Sequence, residues 1–223
     1  MTVLLYVDEE PEQGNRVIRM AALSGHFAED EVETILPEST LDAMVDVVAQ
    51  SRCQVLITDY RLAEHQAGVQ YNGLDLIHQV AQRFGDFPCF LTTNFVGQAL
   101  GQMHDVNLIF PKMDYLGTAE RVESELPFFR RVRAKVDEFH AQRAILEQEF
   151  EELRLAAQSG TLDAEKLQRL LDLDDQLEKA LGGRNAIPRI VKEKALGPFN
   201  ALIGRANSLI GLIEAEMNSS GKD

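Results

Sequence analysis

Three polar positions in this sequence are placed for chemistry, each at the end of a short apolar run. Val3-Leu4-Leu5-Tyr6-Val7 ends in Asp8-Glu9-Glu10, Val55-Leu56-Ile57-Thr58 ends in Asp59, and Leu108-Ile109-Phe110-Pro111 ends in Lys112. Apolar runs of this length, separated by helix-like segments, read as buried parallel strands. Ligands of such sheets bind beyond the carboxyl ends of the strands, so both acidic positions and the lysine are expected to converge on one cleft. Clustered carboxylates repel unless a divalent cation joins them, and a lysine balances an anion. The constellation suits a phosphoryl group on a carboxylate with Mg²⁺ beside it.

The elements that must hold these residues alternate. Val3–Val7 reads as the first strand, followed by a helix carrying Val17, Met20 and Ala21 and a second strand near Val32–Leu36. Ser39 or Thr40 can cap a helix whose Leu41, Met44, Val45 and Val48 share one face. Val55–Tyr60 is a third strand, Gly73–Phe84 a helix, Cys89–Thr93 a fourth strand and Leu108–Pro111 a fifth. Such alternation implies right-handed βαβ units: a five-stranded, doubly wound parallel sheet with helices on both faces, class α/β, over residues 1–126.

After residue 126 the period changes. Phe129, Val132, Val136, Phe139, Arg143, Leu146, Phe150, Leu153 and Ala157 repeat at spacings of three and four, a heptad stripe on a long helix opened by Pro127. Arg143 within the stripe reads either as a polar residue that specifies a partner or, the favoured reading, as a side chain that snorkels to water. Ser159-Gly160 ends this helix, and Thr161 can cap a second one with Leu167, Leu170, Leu171, Leu177 and Leu181 on its apolar face. The expectation for 127–182 is an antiparallel, coiled-coil-like αα-hairpin. Residues 183–223 are expected to hold C-terminal amphipathic helices, with Phe199, Leu202, Ile203, Ala206, Leu209, Ile210 and Ile213 on one side.

Charge narrows the partners. The 223 residues carry a net charge of −14. Residues 1–127 hold 7 basic and 20 acidic residues, 128–183 hold 9 and 12, and 184–223 hold 6 and 4. A strongly acidic first half argues against nucleic-acid binding, which depends on neutralising phosphates. No apolar stretch approaches the ~20 residues of a membrane span, and no basic segment precedes the first strand as in a signal peptide. Cys53 and Cys89 form no CxxC pair and sit in or near strands, so reduced core thiols and a cytoplasmic location are expected. His26, His65, His78, His104 and His140 show no metal-ligand spacing.

With these residues in view, residues 1–126 resemble the receiver domain of two-component response regulators. That family carries an acidic pair after strand one, an aspartate after strand three, a Thr or Ser after strand four and a lysine after strand five; Asp8 and Glu9, Asp59, Thr93 and Lys112 match it here. Val7-Asp8-Glu9-Glu10-Pro11 and Gly73-Leu74-Asp75-Leu76 follow its local style. The resemblance implies Asp59 as phosphoacceptor and Mg²⁺ held by Asp8, Glu9, Asp59 and the backbone carbonyl of Arg61. Lys112 would pair with a phosphoryl oxygen, and Thr93, with Thr92 as the alternative, would act as switch. It implies no enzyme beyond the receiver's own phosphoryl transfer and dephosphorylation. The implied partners are a histidine kinase or phosphotransfer protein and an unknown protein target reached through the helical region, with homodimerisation through that region.

This chain also departs from the family pattern. The segment from Asp59 to Gly73 is longer than usual, Asn94 stands where Ala or Gly is preferred, and Pro111 precedes the lysine instead of following it. The aromatic switch position falls on Ile109, with Phe110 out of phase, and the short stretch from Thr93 to Lys112 implies a reduced fourth helix. These departures keep a second reading open, a receiver-like adaptor that does not switch. A phosphohydrolase using Asp59 fits less well, because Arg61 stands where its second acid would be. Taken singly, Asp8-Glu9-Glu10 is an ordinary acidic helix start, Asp59 a strand-end cap and Lys112 an exposed lysine. Their combination carries the reading.

Overall fold

The computed structural model describes residues 2–64, 66, 68–95, 109–112, 127–159, 161–180 and 191–192. They divide into two compact units, Met1–Gln142 and Arg143–Asp223. The first is built in the order β1 (Leu4–Val7), α1 (Pro11–Leu23), a 3₁₀ turn (Glu29–Glu31), β2 (Val32–Ile35), α2 (Leu41–Ser51), β3 (Val55–Asp59), α3 (Gly73–Phe84), β4 (Cys89–Thr93) and β5 (Ile109–Pro111). A long helix, α4 (Pro127–Gln158), begins in it, and α5 (Ala164–Ala180) lies in the second unit.

The five strands form one sheet in the order β2-β1-β3-β4-β5, every neighbouring pair parallel. This is the flavodoxin-like doubly wound order, with its topological switch point between β1 and β3. Because side chains alternate along a strand, the sheet has two cores. Leu5, Val7, Leu56, Leu91 and Ile109 face α2 and α3, packing on Met44, Val48, Leu74, Ile77 and Val80. Leu4, Tyr6, Val55, Ile57, Phe90 and Phe110 face the other way, onto Val17 and Met20 of α1 and Phe128, Phe129, Val132 and Val136 of α4. The rings of Phe110 and Phe128 meet edge to face, 4.9 Å between centroids.

Local chemistry sets the helix starts. Thr40 caps α2, its hydroxyl accepting from the Ala43 N–H at 3.3 Å. Asn72 caps α3 in a reciprocal box: its side chain accepts from the Leu74 and Asp75 N–H groups, and the Asp75 carboxylate accepts from the Asn72 N–H. The long segment between β3 and α3 is packed down. Leu62, Val69 and Tyr71 are buried in the α2/α3 core, and the Tyr71 hydroxyl donates to the Glu38 carbonyl at 2.8 Å.

The heptad stripe of α4 divides between two environments. Phe129, Val132 and Val136 are sheet core, whereas Leu146, Phe150, Leu153 and Ala157 in the second unit are half-buried. Arg143 is half-buried and pairs with Glu147 one turn on, at 2.8 Å. In the second unit a bidentate Arg169–Glu149 pair, at 2.7 and 2.6 Å, joins α5 to α4 across the helical hairpin. Two details differ from expectation. The cap of α5 is Asp163, accepting from the Lys166 N–H at 2.8 Å, while the Thr161 hydroxyl donates back to the Ala156 carbonyl and closes α4. Leu173 is fully buried alongside Leu167 and Leu171, outside the expected face. Cys53 and Cys89 are free and buried. Among the described residues no helix is long and apolar enough to cross a membrane. Leu108, Leu181, the expected reduced fourth helix, His65, His104 and the C-terminal amphipathic helices lie outside the described residues.

Candidate functional site

Strand alternation explains why the charged groups meet. Asp8 follows Tyr6, Asp59 follows Ile57 and Lys112 follows Phe110, each two residues after a side chain on the α1/α4 face. Parallel strands in register bring those ends to one edge, and Asp8, Glu9, Asp59 and Lys112 are only 2, 7, 4 and 7 % exposed there. The Lys112 ammonium donates to Asp8 Oδ2 at 2.8 Å and lies 2.9 Å from Asp59 Oδ1. The Arg61 N–H donates to Asp59 Oδ2 at 2.7 Å, and the Glu10 N–H to Asp8 Oδ1 at 2.9 Å. The expected acids and lysine are therefore together, and Arg61 meets Asp59 through its own backbone N–H.

The electrostatics are unbalanced. Three ionised carboxylates around one ammonium leave two negative charges in excess, in a place nearly closed to water. Burial, helped by the charges of Asp59 and Asp8, pushes the Glu9 carboxyl up to about 7. Burial also raises Asp59, against the pull of Lys112. For Lys112 burial works downward, but Asp59 and Asp8 hold the ammonium above the ordinary lysine range. Glu9 Oε2 is buried with no hydrogen-bond partner among the described residues. An orphaned, buried carboxylate oxygen beside two further carboxylates is a donor set that a hard divalent cation fits.

Both threonines sit at the end of β4, in different roles. The Thr92 hydroxyl donates to the Thr58 carbonyl at 3.3 Å, within the sheet. The Thr93 hydroxyl accepts from the Phe95 N–H at 2.9 Å at the strand's open end. The Phe95 ring lies under the Arg61 guanidinium, 3.4 Å from centroid to Cζ, and Arg61 also pairs with Glu64 at 2.7 Å. Asn94 is exposed.

Two site residues escape a reading of strand ends. Tyr6, fully buried, donates its hydroxyl to Asp8 Oδ2 at 2.5 Å. Gly73 opens α3 hard against the end of β3: a Cβ there would lie 2.1 Å from the Asp59 carbonyl oxygen, and the Gly73 N–H donates to the Tyr60 carbonyl at 3.0 Å. The sequence signal for Gly73 is the glycine just after the loop; Tyr6 gives none beyond an aromatic in an apolar strand.

No family model and no curated protein matches the chain. Among solved structures it is similar to the two-component response regulator RcsB in its DNA complex, at 17 % identity, covering 81 % of this chain and 92 % of that chain, with a TM-score of 0.38. A likeness at that level carries no argument, so the fold rests on the sheet order and the function on the site.

Proposed function

We propose that the chain is a two-component response regulator whose receiver accepts a phosphoryl group on Asp59. The observation that supports this reading most is the bridging of Asp8 and Asp59 by one buried ammonium, with Glu9 Oε2 unpartnered beside them among the described residues. In the step, an Asp59 carboxylate oxygen attacks the phosphorus of a phosphohistidine on a kinase or phosphotransfer protein. The O–P bond forms, the P–N bond breaks, and the imidazole nitrogen leaves with the electron pair. Lys112, already on Asp59 Oδ1, pairs with an oxygen of the arriving group as a compact charge. Thr93, whose hydroxyl keeps its proton for donation at the open strand end, contributes the further hydrogen bond of the switch. Mg²⁺, held by Asp8, Glu9, Asp59 and the Arg61 carbonyl, would supply positive charge against the phosphoryl oxygens.

The proposed output is a helical protein–protein contact or dimerisation, with α4 and α5 as its elements; no other substrate is turned over. Intact-mass analysis after incubation with acetyl phosphate and Mg²⁺ tests the acceptor. One added phosphoryl group on the wild type and none on Asp59→Ala is the expected result, and an unmodified wild type sinks the proposal.

The second reading, an adaptor that does not switch, draws on the threonines, whose hydroxyls already have partners in Thr58 and Phe95. It requires the same oligomer with and without a phosphoryl mimic such as beryllofluoride, which light scattering decides. A Thr93→Ala variant that loses a phosphoryl-dependent change kept by Thr92→Ala assigns the switch.

A further inference from the structure

We infer that Tyr6 is a positioning residue for the metal side of the site: its hydroxyl fixes the Asp8 carboxylate so that Asp8 and Glu9 can share one divalent cation. The inference rests on the receiver reading above. Tyr6 stands in the middle of β1 and is fully buried among apolar side chains of the α1/α4 face. A buried tyrosine needs a partner for its hydroxyl, and in most strands a backbone carbonyl would serve. Here the partner is a carboxylate of the site, at 2.5 Å, in the range of a charge-assisted O–H···O⁻ bond.

The acceptor positions of Asp8 show what this bond does. A carboxylate has about four of them. Oδ2 takes the Tyr6 hydroxyl and the Lys112 ammonium, and Oδ1 takes the Glu10 N–H. The acceptor position left over is on Oδ1, the oxygen Lys112 does not touch. Packing does not hold this orientation alone, because Tyr6, Asp8, Gly14 and Thr34 line an open-sided pocket of about 220 Å³. Lys112 does not fix it alone either, since it is shared with Asp59 and is the group drawn to an arriving phosphoryl oxygen. Among the described residues Tyr6 and the Glu10 amide are the other donors to Asp8, and Tyr6 is the side chain of the two. Hydrogen bonds from outside the ligand set orient ligands in this way, and their loss commonly weakens metal affinity.

The test is Mn²⁺ binding to the full chain, followed by electron paramagnetic resonance, with unfolding midpoints of the metal-free proteins measured alongside. Tyr6→Phe keeps the ring and removes only the hydroxyl; it is expected to weaken Mn²⁺ binding on the order of 10-fold. In an Asp8→Ala background the same change is expected to have no further effect, because Tyr6 acts through Asp8. Unchanged affinity in Tyr6→Phe, or equal weakening with and without Asp8, overturns the inference while leaving the receiver reading intact. A wild type that binds no Mn²⁺ and accepts no phosphoryl group overturns both.

Discussion

Among the described residues two places gather three carboxylates around one lysine, and they differ in how far they are fit for a reactive site. At the edge of the sheet Asp8, Glu9 and Asp59 surround Lys112; in the second unit Asp174, Asp175 and Glu178 surround Lys192. By spacing alone the second set qualifies as a metal cluster, its ligand atoms lying within 4.8 Å of one another. The difference is in how completely the lysine answers the acids. Lys192 reaches all three, at 2.5, 2.8 and 2.7 Å, and those acids keep 35, 27 and 24 % of their side chains in water. Lys112 reaches two, and the third acid is buried with an oxygen unanswered. A satisfied cluster is an ion-pair clamp. One that is buried, with a carboxylate oxygen left without a partner, has an affinity to spend on a ligand.

The largest contrast this predicts is all or none. Asp59→Ala abolishes phosphoryl acceptance in intact-mass analysis, whereas Asp175→Ala leaves it unchanged; equal loss in both would collapse the distinction. Next comes Gly73→Ala. The added methyl must push the Asp59 backbone aside, which is expected to cost about 1–3 kcal/mol of stability in denaturant melts and to slow acceptance at Asp59.

A smaller effect is the pH response of Glu9. A carboxyl raised from 4.5 to about 7 binds its proton more tightly in the folded state, so its contribution to stability is complete below about 4.5 and is lost as pH climbs through about 7. The melting temperature of the metal-free protein should therefore fall across that window, and Glu9→Gln should flatten the fall. A Glu9→Gln profile parallel to the wild type would mean that burial does not raise the Glu9 carboxyl. The smallest effect belongs to Arg169→Ala in the second unit. It removes an exposed, screened pair with Glu149 and should shift the midpoint least.

Asp8, Glu9, Asp59 and Lys112 are legible in the sequence because each ends an apolar run, and a parallel sheet leaves strand ends one place to go. The Gly73–Phe84 helix is legible for a similar local reason, an amphipathic period behind Asn72. Tyr6 is not, because a tyrosine in a buried strand scores as core whichever way its hydroxyl points. The Arg61–Phe95 stack is not, because it depends on two loops bringing the Arg61 Cζ within 3.4 Å of the Phe95 ring centroid, which no period in either segment encodes. The stripe on α4 is legible as a stripe, but periodicity reports only that a face is covered. Phe129 and Val132 are covered by the sheet, and nothing in their spacing separates them from Leu146 and Leu153. Thr161 and Asp163 are both sound caps, and the choice between them rests on where the turn closes.

The unanswered oxygen of Glu9 has a consequence for the folding landscape. Most of the first unit is consistent at every level, with pattern, caps and packing agreeing on one sheet. At its carboxyl edge the chain is locally frustrated: the fold draws like charges together and gives them too little to hold. Sequences drifting under selection for stability alone would relieve that conflict quickly, since Glu9→Gln or a hydrophobic residue at 59 would do it. In the chain as it stands, that conflict sits at one edge of a core whose other parts agree.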